Sequence, residues 1–267
     1  MAGQAERMSL TEREGRELAA FTHAARQGRS STPDADLVVP EESFTRLLGA
    51  VPGTPDALEQ MFVWTRPLRG AKVLEICCHD GEFGVLLAAG GAEVTSVDLC
   101  PDLIERAGRR AALNHVQDQM TARVMSAHAL DLPDNHFDFV FGKASLHHLD
   151  LDASKREILR VLKPGGYGVF SEPITLSPAL SALRRAVPVP IDKDSPDERQ
   201  LEERDLARLA DGFAGAERAY FRLFSRLERL CPALYRPLAR ADRALLDRFP
   251  ALERYAGTCV IRVRKAS

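Results

Sequence analysis

Strand-like and helix-like segments alternate along the middle of this chain, and this alternation constrains the fold more than any other feature. Short runs rich in β-branched and aromatic residues are separated by segments whose apolar residues recur at helical spacing. This pattern is typical of a mostly parallel sheet with helices on both faces. The predicted strands are "KVLEIC", "EVTSVD", "ARVMS", "FDFVFG" and "YGVFSE", followed later by "AERAYFRLF" and "TCVIRVRK".

Length and composition favour one elaborated α/β domain. A chain of 267 residues can bury a sizeable core, and 45% hydrophobic with 28% charged residues is ordinary for a globular protein. The formal net charge of -2 argues against nucleic acid as a partner. We predict an amino-terminal helical extension or lid over residues 1–66 and a core over 67–175. A lid excursion, a helical insert and the last strands of the same sheet are predicted over 176–267.

The compartment can also be predicted. The first residues, "MAGQAERMSLTEREGREL", carry charges where a signal peptide needs an apolar run, which predicts a cytoplasmic protein without a membrane-spanning segment. Five cysteines, two of them adjacent at Cys77 and Cys78, are typical of reduced thiols, so we predict no structural disulfide.

The loop after the first strand carries the chemistry. In "VLEICCHDGEFG" the spacing is Glu75-x-Cys77-x-His79-x-Gly81, and Asp98 ends the second strand about twenty residues further on. An acid at that place can accept hydrogen bonds from two ribose hydroxyls. The loop lacks the G-x-G-x-x-G pattern, which disfavours a nicotinamide-dependent oxidoreductase.

From Val73 to Pro173 the chain resembles the class I S-adenosylmethionine-dependent methyltransferases. The loop is similar to their E/D-x-G-x-G-x-G motif, and three later stretches are similar to their later motifs: "VTSVDLCPDLIERA", "MSAHALDLPDNHFDFVFGKASLHHL" and "REILRVLKPGGYGVFSEP". The most similar group is the ubiquinone- and menaquinone-biosynthesis-like methyltransferases. The resemblance implies a Rossmann-like, mostly parallel seven-stranded sheet, S-adenosylmethionine as cofactor, and methyl transfer to a small and often lipophilic molecule.

The resemblance also implies roles for individual residues. Glu75 would orient the methionine amino group, Asp98 would hold the ribose, and Leu99 would pack on the adenine. Ser126 and the Ala127 amide would meet the adenine edge. The complete predicted cofactor-binding set is Glu75, Cys77, His79, Gly81, Asp98, Leu99, Ser126, Ala127 and Lys143.

Three of these positions depart from the family pattern. Ser126 stands where aspartate is usual, and a hydroxyl is a weaker acceptor than a carboxylate. Cys77 and His79 stand at glycine positions, where a Cβ costs about 1–3 kcal/mol if the backbone is left-handed. The favoured interpretation is a relaxed loop that still binds the cofactor. A second interpretation groups Cys77, Cys78, His79 and Cys100 as zinc ligands; alternating side-chain directions and the lack of C-x-x-C disfavour it, and we predict no metal.

Candidate acceptor-side residues follow the fourth and fifth strands. His147 in "GKASLHHLD" is the candidate general base, because histidine titrates near neutrality; helix packing is the alternative. Lys143 would contact the substrate or the cofactor carboxylate, or it would be a solvated surface lysine. Glu172 would face the substrate or cap a turn. Arg199 replaces a family histidine, and the insert 225–255 either packs on the sheet edge or docks on a membrane surface.

Two functional interpretations follow. The first is methyl transfer to a small molecule in quinone, lipid or secondary metabolism. The second keeps the fold without methyl transfer, as an enzyme of another reaction such as a cyclisation or as a non-catalytic partner protein, and the departures at Cys77, His79 and Ser126 motivate it.

Overall fold

A seven-stranded sheet forms the centre of the computed structural model, which describes residues 10–26, 33–177, 199–224 and 232–267. The strand order is β3-β2-β1-β4-β5-β7-β6. Strands β1 to β5 pair in parallel, and β7 runs antiparallel to both β5 and β6. The strands are β1 (Lys72–Ile76), β2 (Glu93–Asp98), β3 (Met120–Val124), β4 (Phe137–Lys143), β5 (Leu162–Pro173), β6 (Gly215–Phe221) and β7 (Thr258–Arg264). The predicted fold class, a mostly parallel seven-stranded sheet, is confirmed.

Two predicted strand boundaries were wrong by a few residues. The third strand begins at Met120 and ends at Val124, whereas "ARVMS" placed its end at Ser126. The fifth begins at Leu162, which pairs with Phe137, and the register then shifts so that pairing resumes at Phe139 and Tyr167. Proline and glycine at 164–166 indicate a turn from sequence alone, and Gly165 is left-handed with a φ of 73°. The pairs on either side of this bulge keep the segment within one strand.

The described helices cover both faces of the sheet. Alternate residues of β1 enter different cores: Val73 packs with one hydrophobic cluster, and Leu74 and Ile76 pack with the other. Glu75 therefore lies on the same side as Val73. The helices are α1 (Leu10–Arg26), α2 (Asp34–Leu37), α3 (Glu41–Leu48), α4 (Ala57–Trp64), α5 (Glu82–Ala89), α6 (Pro101–Leu113), α7 (Leu151–Val161), α8 (Glu203–Ala210) and α9 (Tyr235–Arg248).

Helices α5 and α6 begin at the carboxyl ends of β1 and β2, where parallel sheets bind their ligands. Gly81 is the N-cap of α5 in a left-handed conformation, and Pro101 opens α6, where a proline lacks only an N–H that the helix would leave unpaired. The sequence thus directs two helix amino termini toward one edge of the sheet.

Helix α1 packs across that same edge. Leu18 and Phe21 contact the buried pair Cys100 and Leu103, and the Thr22 hydroxyl lies 3.7 Å from Cys100 Sγ. Helix α1 therefore lies against the start of α6.

Much of the predicted lid excursion, residues 178–198, and the start of the insert, 225–231, lie outside the described residues. Arg199 forms a bidentate ion pair with Asp205 of α8, at 2.6 and 2.8 Å. Within the described ranges no helix has the length and apolar character to cross a bilayer.

Candidate functional site

A cavity of about 600 Å³ opens along the carboxyl ends of the strands. Its lining extends from Ser126, just after β3, to Arg222, just after β6, so it crosses nearly the whole sheet. This volume is typical of a small-ligand site. We call the part lined by residues 77–80, 98–100 and 125–128 the loop half, and the part lined by residues 143–149, 171–173, Arg222, Tyr235 and Thr258 the histidine half.

The loop after β1 is left-handed at three positions. The φ angles are 51° at Cys77, 52° at His79 and 79° at Gly81. At the two non-glycine residues this conformation costs about 1–3 kcal/mol each, so the strain expected from the sequence is present. Gly81 itself is buried behind the loop, where a Cβ would lie 2.8 Å from Ala107 Cβ and from Met120 Cε. Gly81 is not among the lining residues, but its neighbours Asp80 and Glu82 line the cavity, as do Cys77 and His79.

Hydrogen bonds to neighbouring elements hold this loop in place. The Cys78 amide donates to Val97 O (3.0 Å), and the His79 amide donates to Asp98 Oδ2 (2.9 Å). Arg110 of α6 donates to the carbonyl and the carboxylate of Asp80, at 2.9 and 2.7 Å. Burial opposes ionisation of Asp80, but His79 and Arg110 outweigh it and hold the pKa of that carboxyl well below its usual range. These contacts offset the strain of the loop.

Glu75 is buried at the back of the loop half. It accepts a hydrogen bond from Ser96 Oγ at 2.6 Å and another from the Gly84 amide of α5. Burial raises the pKa of Glu75 to about 8, even though these two hydrogen bonds act in the opposite direction. Glu75 lines the cavity, so a cationic ligand group beside it would favour its ionised form.

Asp98 lies at the end of β2 and faces the cavity. Its Oδ2 accepts from the His79 amide (2.9 Å) and its Oδ1 from the Cys100 amide (3.0 Å). A carboxylate has about four acceptor positions, so both oxygens can accept a further hydrogen bond from a diol. Burial raises the pKa of Asp98 despite these amides. Leu99 lines the cavity beside it.

A cluster that the sequence did not predict follows β3. The Ser126 hydroxyl donates to Glu14 Oε1 of α1 and accepts from the His128 amide (3.0 Å). His128 Nδ1 lies 2.8 Å from the same Glu14 oxygen. Glu14 and His128 line the cavity with Ser126 and Ala127. In sequence Glu14 is one of several charges in "TEREGREL" and carries no signal that separates it from a solvated helix face.

Glu172 organises the histidine half. Its carboxylate is 0% exposed, and its Oε1 accepts from the amides of Ser145 (3.0 Å) and Leu146 (2.9 Å). Its Oε2 lies 2.7 Å from Nδ1 of His147, which is 3% exposed. Glu172 therefore caps the turn after β4, as one of its two predicted roles requires, and also pairs with His147. An imidazole held by a buried carboxylate in a cavity wall is an arrangement suited to general-base chemistry.

The outer part of the histidine half is cationic and aromatic. Lys143 Nζ lies 5.2 Å from the centre of the Phe83 ring. Arg222 and Tyr235 also line the cavity there, and the Tyr235 hydroxyl donates to Asp56, the N-cap of α4. Lys143 thus lies in the histidine half, and its contact with a cofactor or a substrate stays a prediction.

Helix α1 touches both halves. Arg13 Nε donates to the His148 carbonyl (3.0 Å), and Glu17 Oε2 lies 3.2 Å from His148 Nδ1. Phe21 packs edge-on against the His148 ring at 5.5 Å. Together with Glu14 in the loop half, these contacts make α1 the cover of the cavity.

The cysteines of the loop are buried thiols with several carboxylates nearby. Burial raises the pKa of Cys77 and of Cys78 well above the usual range, which disfavours the thiolate that a metal needs. In the described part of the chain, no three His, Cys, Asp or Glu side chains form a cluster that could hold a metal ion. The four cysteines described are free, and Cys231 lies outside the described residues.

Comparison with known proteins shows similarity to methyltransferases. Residues 74–170 match a family model described as a methyltransferase domain. The chain is 36% identical over 129 residues to 27-O-demethylrifamycin SV methyltransferase of Amycolatopsis mediterranei (strain S699). The aligned stretch covers 47% of this chain and 43% of that protein. It is also 36% identical over 101 residues to demethylmenaquinone methyltransferase of Symbiobacterium thermophilum (strain DSM 24528 / JCM 14929 / IAM 14863 / T), which covers 36% of this chain and 40% of that protein.

The chain thus spans less than half the length of these curated relatives. Among solved structures it is similar to the [4+2]-cyclase SpnF, with a TM-score of 0.52, 21% identity, and coverage of 74% of this chain and 75% of that one. At this identity the similarity shows the fold.

Proposed function

Because the chain carries a class I S-adenosylmethionine-dependent methyltransferase domain of the quinone-biosynthesis-like group, we propose that it transfers the methyl group of S-adenosylmethionine to a hydroxyl of a small molecule. One observation carries this proposal. A family cofactor loop and a buried carboxylate–imidazole pair line the same cavity, on neighbouring strands.

The residues of the loop half fit the cofactor. Asp98 offers acceptors for a ribose diol, and Leu99 offers an apolar surface for a base. Glu75 lines the cavity behind the loop and gains its charge when a cation approaches, as an ammonium group would require. The cofactor, when bound, supplies an electrophilic methyl group that an aligned nucleophile attacks in line.

His147 and Glu172 then supply the base. If Glu172 is ionised, His147 Nδ1 must carry the proton that bridges them at 2.7 Å, so proton transfer takes place at Nε2. His147 would accept the proton of the acceptor hydroxyl while the oxygen–methyl bond forms and the sulfur–methyl bond breaks, which would leave S-adenosylhomocysteine. Glu172 stabilises the resulting imidazolium and keeps the ring oriented.

The acceptor is a small hydroxylated molecule from quinone or secondary metabolism. This class rests on the names of the relatives, one of which is an O-demethylrifamycin methyltransferase and another a demethylmenaquinone methyltransferase. The Phe83, Leu58 and Leu149 side chains in the lining provide apolar surface for a ring system.

A second candidate function is a reaction other than methylation, such as a cyclisation. It is favoured by the fold similarity to a cyclase and by the non-glycine residues Cys77 and His79 in the loop. In that case the same cavity binds the cofactor without consuming it.

The test is calorimetric titration with S-adenosylmethionine and S-adenosylhomocysteine, followed by incubation with a panel of phenols and catechols. Micromolar binding and a product heavier by one methyl group are expected. Absence of heat and of any thermal shift up to millimolar ligand would overturn the proposal, because a specific ligand must stabilise the folded state. Binding with turnover of an acceptor but no consumption of S-adenosylmethionine would favour the second candidate.

A further inference from the structure

The contact between helix α1 and the turn after β3 forms a second polar cluster in the cavity wall. It consists of Glu14, Ser126 and His128, with the Asp150 amide behind the histidine. None of its members takes part in the proton transfer described above. Its position at the β3 end of the loop half puts it at the opposite end of the cavity from Arg222.

The hydrogen bonds determine which groups donate. The Asp150 amide donates to His128 Nε2 at 3.0 Å, so that nitrogen carries no proton. The imidazole proton is then on Nδ1 and points at Glu14 Oε1, 2.8 Å away. The Ser126 hydroxyl donates its hydrogen to the same carboxylate oxygen. Two donors thus converge on Glu14 Oε1.

These donors keep Glu14 ionised. Burial works against its charge, but the hydrogen bonds from Ser126 and His128 prevail and hold the pKa of Glu14 below its ordinary value. Its second oxygen, Oε2, has no hydrogen-bond partner among the described residues, and the side chain, 25% exposed, lines the cavity. The cluster therefore presents one oriented carboxylate oxygen to the cavity, ready to accept from an N–H group.

Ser126 cannot fill this role itself. Its hydrogen is donated to Glu14 and one lone pair accepts from the His128 amide, which leaves a single weak acceptor site. An adenine edge presents an amino donor at C6, whereas a hypoxanthine edge presents a carbonyl there. At the C6 position a carboxylate attracts the amino group and repels the carbonyl.

We infer that Glu14, carried by helix α1, accepts a hydrogen bond from the exocyclic amino group of the cofactor adenine and so sets the base specificity of the site. This inference rests on the proposed function, since it needs an adenosyl ligand in the loop half. It makes α1 part of the cofactor site as well as its cover.

The experiment compares two nucleosides by calorimetry, S-adenosylhomocysteine and S-inosylhomocysteine, which differ only at the purine C6 and N1 positions. The parent protein binds the adenosyl compound at least about tenfold more tightly, as expected for a hydrogen bond to a charged acceptor. In Glu14→Gln the amide can donate to the C6 carbonyl, so the ratio of the two dissociation constants falls to about threefold or less.

Glu17→Gln is the matched control, because it removes a carboxylate one turn away on the same helix that pairs with His148 instead. Its effect on the two dissociation constants is equal, and the ratio stays that of the parent. The inference is overturned if the parent binds both nucleosides equally, or if Glu14→Gln keeps the ratio of the parent. Either result leaves the proposed function standing. A parent that binds neither compound overturns the proposed function and the inference with it.

Discussion

The two halves of the cavity hold their key side chains by different means. In the loop half, two amides of the strained loop donate to acceptors on β2, and the side chains of Arg110 and His79 hold Asp80. In the histidine half, one buried carboxylate, Glu172, collects two amides and an imidazole. A loop held by several separate contacts tolerates the loss of one side chain, whereas a site that depends on one carboxylate does not.

His147→Gln should therefore have the largest effect. The amide keeps the size of the ring but cannot take a proton, so kcat should fall by about 10²- to 10⁴-fold, the usual contribution of a general base. The dissociation constant of S-adenosylhomocysteine should not change. Steady-state kinetics against pH, with His115→Asn as a control that removes an exposed histidine outside the cavity, would measure this. A variant with parental kcat would return His147 to a packing role.

Glu75→Gln tests whether the buried Glu75 carboxyl has a raised pKa, through the pH dependence of stability. In the folded state Glu75 keeps its proton up to a pKa of about 8, whereas the unfolded chain releases it near 4.5. The folded state therefore binds more protons between these two pH values. The resulting contribution to stability is complete below pH 4.5 and is lost as the pH rises toward 8, by about 1.4 kcal/mol for each pH unit in that interval.

The measurement is chemical denaturation of the parent and of Glu75→Gln from pH 5 to pH 9. The free energy of unfolding of the variant should rise relative to that of the parent as the pH rises, because the amide mimics the protonated acid. A difference in unfolding free energy that does not change with pH would show that Glu75 is ionised over the whole range, which would contradict a raised pKa.

Asp98→Ala should weaken cofactor binding by about 2–3 kcal/mol, the value of two hydrogen bonds to a charged acceptor. The fold should survive, although the His79 and Cys100 amides lose their acceptor. Calorimetry with S-adenosylhomocysteine measures the loss, and circular dichroism confirms the fold. Unchanged affinity would mean that the ribose lies elsewhere in the cavity.

His79→Gly should have the smallest effect and the opposite sign. Its φ of 52° suits glycine, so the change should tighten S-adenosylmethionine binding by roughly 1 kcal/mol. The imidazole lies 3.4 Å from Asp80, which Arg110 also holds. Paired affinity and turnover measurements separate two outcomes. Lost turnover in a folded variant would make His79 a participant in the chemistry and contradict the interpretation of a relaxed loop that only binds the cofactor.

The sequence was most informative where the chemistry follows the backbone. Alternating segments predicted the sheet, and the spacing from Glu75 to Asp98 predicted which residues end neighbouring strands, because parallel strands align their carboxyl ends. It also predicted strain at Cys77 and His79, since only glycine adopts positive φ without cost.

It was least informative where side chains distant in sequence meet. Glu14 and Ser126 are separated by 112 residues, and no periodicity records that α1 crosses the sheet edge there. The same holds for Glu172, whose partner His147 precedes it by 25 residues. Such pairs depend on how helices and turns pack, which is a property of the whole core.

The crowding around Gly84 limits how this protein can diverge. A Cβ at that position would lie 2.6 Å from Ser96 Oγ and 2.7 Å from both Glu75 Oε2 and Met120 Cε. The residues at 75, 84, 96 and 120 therefore constrain one another. An alanine at 84 is tolerated only if the glutamate, the serine and the methionine become smaller or move together. In homologues we expect these four positions to covary, with glycine at 84 wherever an acid stands at 75.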